Sequence, residues 1–165
     1  MTPAPIPADE DERLSALREL LLLDTPPEER FDRLARFVAE QLDVPIALLT
    51  LVDGQRQWFK ARVGIDATET PRDISFCGHA IMKNDVFIVE DASRDPRFSD
   101  NPLVTGEPHI RFYAGAPLSA PGGHRIGTLC VIDTVPRTLG PVELSILDAL
   151  RRLANETVAG REDQE

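Results

Sequence analysis

Residues 45–64, PIALLTLVDGQRQWFKARVG, constrain the fold more tightly than any other stretch of the chain. The run PIALLTLVD is too short and too continuously apolar for a surface helix, so it reads as a central strand buried on both faces. Asp53-Gly54 follows as a hairpin signal, and QRQWFKARVG becomes the antiparallel partner. In that partner, a period of two sets Gln57, Phe59 and Ala61 against Trp58, Lys60 and Arg62, the pattern of a half-exposed strand. A strand buried on both sides needs cover on both faces of its sheet, and the rest of the sequence must supply it.

A second hairpin is legible in RFYAGAPLSA and IGTLCVIDT, joined by the glycine-rich turn PGGHR, and VFIVED adds a further strand. Along IGTLCVIDT, alternation puts Thr128, Cys130 and Ile132 on the face opposite Leu129 and Val131. That makes five clear strands, with a sixth expected within 63–72 or in the lead-in to a short helix. Helical spacing appears in DERLSALRELLLLD through Leu14, Leu17, Leu20 and Leu21, which predicts a helix over 11–23. A second helix starts near Pro27 and carries Phe31, Leu34, Ala35, Val38 and Leu42 on one side. SFCGHAIMKN forms a short helix capped by Asp73 or Ser75, and a long amphipathic helix runs over 141–158 with Leu144, Leu147, Leu150, Ala154 and Val158 along one stripe. Residues 91–110, with three prolines and a glycine, form a long ordered loop anchored by Phe98, Leu103 and Val104. The order places an antiparallel sheet under helices gathered on one side, an α+β fold. One domain over 11–158 is expected, between a flexible leader at 1–10 and a flexible tail at 159–165.

With 165 residues, the chain suits a single domain with a sizeable core. A net charge of -10 argues against nucleic acid and anionic membranes as partners. The longest leucine run, at 20–23, falls far short of the roughly 20 apolar residues of a bilayer span, and the start does not read as a secretory signal. A cytoplasmic location follows, and with it two reduced cysteines, Cys77 and Cys130. The sequence contains no phosphate-binding glycine loop, no His-Glu metal motif and no serine nucleophile elbow.

RLSALRELLLLDTPPEERFDRLARFVAEQLDVPIALLTLVDGQRQWFKARVG, TPRDISFCGHAI, VEDASRDPRFSDNPLVTGEPHIRFYAGAPL and GTLCVIDTVPR, taken in this order, resemble a GAF domain. They are similar in particular to the subgroup found with bacterial sensor histidine kinases and diguanylate cyclases. The resemblance covers about residues 11–158. It implies a six-stranded antiparallel sheet, helices on one face, and loops and short helices that roof a small-molecule pocket on the other. Members of the family bind cyclic nucleotides, bilins, haem or small metabolites, so the cofactor stays unknown. The Asn-Lys-Phe-Asp-Glu series of cyclic-nucleotide members is absent, and Gly78 separates Cys77 from His79 where bilin-linked members carry a Cys-His pair.

Phe76-Cys77-Gly78-His79 raises the possibility of a thiolate with an imidazole helper. On a helix, side chains two apart point about 200° from each other, so the two do not form a dyad. Cys77 reads instead as a small buried residue beneath a pocket, and Cys130 as core. DASRDPRFSDNP with HIRFYAGAPL offers Arg97, Arg111 and Tyr113 as donors to an anionic or carbonyl-bearing ligand and Phe98 and Phe112 as apolar walls. The same stretch could simply be braced by Asp91, Asp95 and Asp100 pairing with Arg94, Arg97 or Arg72. The candidate ligand-binding set is therefore Phe76, Cys77, His79, Arg97, Phe98, Arg111, Phe112 and Tyr113, roofed by residues 73–113.

The expected function is a non-catalytic sensory module that binds a small molecule and signals through a homodimer of its terminal helices, with a signalling kinase or cyclase as partner. An alternative is an enzyme resembling the free methionine sulfoxide reductases among stand-alone GAF proteins, using Cys77 and Cys130. A third is a ligand-free dimerisation scaffold.

Overall fold

The computed structural model describes residues 1–163. Helices α1 (Glu10–Glu19) and α2 (Glu29–Leu42) lead into the hairpin β1 (Ile46–Val52) and β2 (Arg56–Val63), followed by β3 (Glu69–Pro71). The short helix α3 (Phe76–Ala80), strand β4 (Phe87–Val89), a turn of 3-10 helix at Ala92–Arg94 and the one-turn α4 (Pro102–Thr105) come next. The second hairpin, β5 (Phe112–Ser119) and β6 (Arg125–Asp133), precedes α5 (Pro141–Asp163). The sheet has six strands in the order β3-β2-β1-β6-β5-β4, every neighbouring pair antiparallel. The sixth strand is β3, inside the segment where it was expected.

Helix α2 forms where its apolar residues recur on one face, and it stops at Asp43, whose left-handed backbone (φ 51°) closes the last turn. Helix α1 is shorter than its apolar spacing suggests. It ends at Glu19, and left-handed turns at Leu21 and Asp24 swing Leu22 into the core, leaving Leu21 63% exposed. Burying Leu22 outweighs one more helical turn.

Two cores share the sheet. On one face, α1, α2 and α5 bury Leu17, Phe31, Val38, Leu147, Ala154 and Val158 against Leu49, Leu51, Leu129 and Val131. On the other, Leu48, Phe59, Tyr113, Cys130 and Ile132 of the sheet meet Phe76, Ile81, Phe98 and Val104 from the short elements of the cover. The alternation of β6 is as the sequence gives it, with Leu129 and Val131 toward the helices and Cys130 and Ile132 toward the cover.

Three expectations are corrected. β2 is not half-exposed: Leu49 pairs with Ala61 and Thr50 with Phe59, so Lys60 is an extra residue in a bulge and the alternation slips. Lys60 is 2% exposed, its ammonium on Thr25 Oγ1 and the Pro26 carbonyl, both at 2.7 Å. Residues 1–10 are not a loose leader. Thr2 N–H donates to the Arg97 carbonyl and Ala4 N–H to the Asp73 carbonyl, both at 3.0 Å, and Ala4 packs against Gly78 of α3. The tail expected at 159–165 continues α5 as far as Asp163, and residues 164–165 lie outside the described residues.

Candidate functional site

The cover is stitched from local capping bonds, because its helices are too short to hold themselves. Ser75 Oγ accepts the Gly78 N–H at 3.0 Å and donates to the Arg72 carbonyl at 2.6 Å, fixing the start of α3. Asn101 caps α4 by accepting the Leu103 N–H at 2.9 Å, while its amide donates to the Ile74 carbonyl at 3.0 Å and ties α4 to the lead-in of α3. Between them the rings of Phe76 and Phe98 stack at 4.1 Å, with Tyr113 at 5.2 Å from Phe76 and the edge of His79 at 4.8 Å from Phe98.

Beneath α3 lies a set of buried side chains bonded to one another. Cys77 Sγ accepts hydrogen bonds from Tyr113 Oη and Thr128 Oγ1, both at 3.1 Å, and Thr128 Oγ1 lies 2.9 Å from Thr50 Oγ1. Tyr113 reaches the sulfur because Gly115 follows it on the same face of β5: a Cβ at Gly115 would collide with the phenol oxygen. Cys130 lies two residues from Thr128 on the cover face of β6, in the same buried cluster as Cys77, and both cysteines are free thiols. Burial opposes ionisation of Cys77, but hydrogen bonds from Cys130, Thr128, Thr50 and Tyr113 outweigh it and bring the thiol down to about 7. Burial and the neighbouring Cys77 push Cys130 well up, and burial holds Tyr113 protonated as a donor.

One open cleft lies outside α3. A cleft of about 400 Å3 is walled by Pro5, His79, Met82, Lys83, Phe87 and Arg97. Arg97 sits over the rings of Phe87 and Phe98, at 5.1 and 5.3 Å, and forks onto Asp95 at 3.0 and 2.7 Å. His79 Nε2 lies 3.2 Å from the Thr2 carbonyl oxygen, and burial lowers the pKa of the imidazole. The segment leaving α3, which forms one wall, is gripped from two sides. Arg125 of β6 donates to the Ile81 carbonyl at 2.5 Å and to Asn84 Oδ1 at 2.9 Å, and Arg151 of α5 donates to the Asn84 carbonyl at 3.0 Å.

The structure separates the candidate residues into groups. Phe76, Cys77, Phe98 and Tyr113 come together in the buried core of the cover, in contact with one another rather than around the outer cleft. His79 and Arg97 line the outer cleft. Arg111 is spent on the Val104 and Ile110 carbonyls, both at 3.0 Å. Phe112 belongs to the helix-side core, because it is adjacent to Tyr113 on β5 and alternation turns it away from the cover. The bracing reading of 91–100 holds for Asp91 with Arg94 and Asp95 with Arg97, whereas Asp100 pairs with the Met1 amine and Arg72 with Glu10. Sequence reasoning missed Thr50, Thr128 and Phe87. Alternation through Cys130 could have found Thr128, but Thr50 depends on the β1–β6 register and Phe87 on the β4–β5 register.

The match to known proteins follows the same elements. A family model described as the GAF domain matches residues 26–158, from the turn before α2 to the buried end of the α5 stripe. The chain belongs to the GAF domain family. Over 156 residues it is 46% identical to a cyclic di-GMP phosphodiesterase of Pseudomonas aeruginosa, covering 93% of this chain but 26% of that protein. The chain thus spans about a quarter of the curated relative it matches. Two solved structures share the GAF fold. The GAF domain of an Acinetobacter phosphoenolpyruvate-protein phosphotransferase has a TM-score of 0.69 at 19% identity, covering 94% of this chain and 97% of that one. The free methionine-R-sulfoxide reductase of Neisseria meningitidis has a TM-score of 0.66 at 17% identity, covering 99% of each chain. Among the described residues, no helix is long and apolar enough to cross a membrane, and no group of His, Cys, Asp and Glu could hold a metal ion.

Proposed function

We propose that this GAF domain is a cytoplasmic regulatory module that binds a small anionic or carbonyl-bearing molecule in the outer cleft and passes the effect to α5. The observation that carries the reading is the Arg151–Asn84 bond, which ties the cleft wall to the long terminal helix. The cleft volume of about 400 Å3 falls in the range of small-molecule sites, and His79, Lys83 and Arg97 supply donors beside the face of Phe87. A ligand that holds the 82–87 wall in one arrangement would bias the position of α5 through Arg151. In a longer protein such a bias would act on a signalling kinase, cyclase or phosphodiesterase domain. The homodimer through the terminal helices stands on narrower ground, because the α5 stripe is spent on the monomer's own core. Its outer face retains Leu153, 47% exposed, as the contact.

The test is a thermal-shift screen of nucleotides, amino acids and tetrapyrroles, since a ligand of the native state raises Tm by mass action. A hit whose shift disappears in Arg97→Gln and Phe87→Ala, and whose effect on exchange in α5 disappears in Arg151→Ala, supports the proposal. No shift from any class, or a shift indifferent to Arg97 and Phe87, overturns it.

The reductase reading has one observation in its favour, the presence of Cys77 and Cys130 in one buried cluster. Against it stands the burial of both thiols beneath α3. NADPH-coupled reduction of free methionine sulfoxide, abolished by Cys77→Ser, would decide for the enzyme.

A further inference from the structure

The regulatory reading makes no use of the cluster at the centre of the cover, where two thiols, two threonine hydroxyls and a phenol converge in the core. We propose that Cys77 and Cys130 form an oxidation site at which a small hydroperoxide produces an intramolecular disulfide between α3 and β6.

The two sulfurs are unlike in the way such a reaction requires. Cys77 Sγ receives hydrogen bonds from Tyr113 and Thr128, each at 3.1 Å, which stabilise a thiolate. Cys130, on a central strand between β1 and β5, stays a protonated thiol because burial and the charge on Cys77 disfavour its ionisation. Ionisation of the pair therefore falls on Cys77, where the donors are. Cys77 attacks one oxygen of the hydroperoxide, ROOH, whose O–O bond breaks. The sulfur is oxidised to a sulfenic acid and ROH leaves with the proton. Cys130 sulfur then attacks the sulfenic sulfur, expels water, and closes the disulfide. The sum is two thiols and ROOH giving one disulfide, ROH and water.

Access and consequence both follow from the position of Cys77. It sits on a helix of only 5 residues, held by the Ser75 cap, by Arg125 on the Ile81 carbonyl and by Ala4 against Gly78. Local opening of one turn admits a water-sized oxidant without unfolding the sheet. A disulfide would then pin that turn to β6 and cancel the acceptor on which Tyr113 and Thr128 converge.

The experiment exposes the folded protein to equimolar hydrogen peroxide, quenches free thiols in denaturant and maps the peptides by mass spectrometry. The expected product is a Cys77–Cys130 cross-link within single chains, reversed by dithiothreitol. In Cys130→Ala, or Cys130→Ser if the first does not fold, the reaction should stop at a Cys77 sulfenic acid that dimedone traps; in Cys77→Ala, Cys130 should stay unlabelled. Tyr113→Phe should slow the first step about two- to tenfold at pH 7, the range of one lost hydrogen bond, and move the midpoint of its pH–rate profile upward. A role in packing alone would leave that midpoint in place. The proposal is overturned if the wild-type protein keeps both thiols while folded, forms only cross-links between chains, or oxidises one cysteine to sulfinic acid with the other intact. The wild-type peptide map decides even if every variant misfolds.

Discussion

The two faces of one sheet are built by different means. The helix face buries leucine, valine and alanine under three helices of 10, 14 and 23 residues, whose backbone groups satisfy one another. The cover face buries aromatic rings, thiols and threonines under helices of 5 and 4 residues that hold their shape through side-chain caps. Hydrophobic burial is non-directional and tolerates small displacements, whereas a cap works at one geometry only. The helix face therefore sets the global stability of the domain, and the cover can open or rearrange while the sheet persists. That division puts the proposed ligand cleft and the thiol cluster on the same side of the sheet.

The largest effect that could break this comparison comes from Phe31→Ala, at a fully buried position on α2. A loss of about 3–5 kcal/mol in urea unfolding is expected, the range for a buried phenylalanine, with hydrogen exchange accelerated over the whole sheet. If exchange rose only within α2, the helix face would not be the global unit. Next comes Arg72→Met. Arg72 is 3% exposed, pairs with Glu10 and donates to the Asp53 carbonyl at 3.2 Å, so it links α1, the first hairpin and the approach to α3. Removing one partner of a buried pair costs about 3 kcal/mol or more. Glu10 keeps its pairing with the buried Arg13 at 2.8 Å, so adding Glu10→Gln should deepen the loss rather than relieve it.

Asn101→Ala sharpens the comparison at smaller scale. It removes the cap of α4 and the bond to the Ile74 carbonyl, an expected cost of about 1–2 kcal/mol. Exchange should rise at 74–80 and 102–105, while β1 and β6 stay protected. Uniform acceleration through the sheet would mean that the cover does not open independently.

The helix face was the more legible of the two in the sequence. Leu34, Val38 and Leu42 on α2, and Leu147, Leu150 and Ala154 on α5, repeat at a spacing that only a helix uses, and Leu129 and Val131 alternate as a strand must. The cover has no such period. Its residues Phe76, Phe98 and Tyr113 were picked out as a set, but whether they line a void or fill it depends on ring packing at about 4–5 Å, which no spacing encodes. Phe112 was misassigned because both it and Tyr113 look like pocket residues, and only the β5 register decides which one faces the cover. Residues 1–10 were unreadable for a related reason. Their proline content gives no periodicity, and they are held by backbone bonds to Arg97 and Asp73 that any side chain could make.

The smallest effect, and the one most specific to the cover, is pH dependence at His79. Its ring is stacked on Phe87, set edge-on to Phe98 and placed near Arg97, with Asp95 the nearby carboxylate and the Thr2 carbonyl its polar contact. Burial disfavours the imidazolium, the Arg97 charge adds to that, and the Thr2 carbonyl and Asp95 oppose both, leaving the folded-state pKa below its ordinary value. The unfolded chain therefore binds the proton more readily than the folded one. Stability is complete above the unfolded histidine pKa of about 6.5 and falls as pH drops through that value toward the lower folded one. The carboxylates Glu10, Asp53 and Asp95, all lowered by their partners, lose their contributions only near pH 4 and below, whereas Cys77, brought down to about 7, loses its own as pH falls through that value, so the histidine is read between about pH 6.5 and 5.5 as the difference between wild type and His79→Gln. In that window wild-type Tm should decline while His79→Gln stays flatter, and the decline should coincide with faster exchange at 76–80 rather than in α2. A wild-type curve no steeper than that of His79→Gln would mean the imidazole is as well solvated folded as unfolded, and the cover around it open to water.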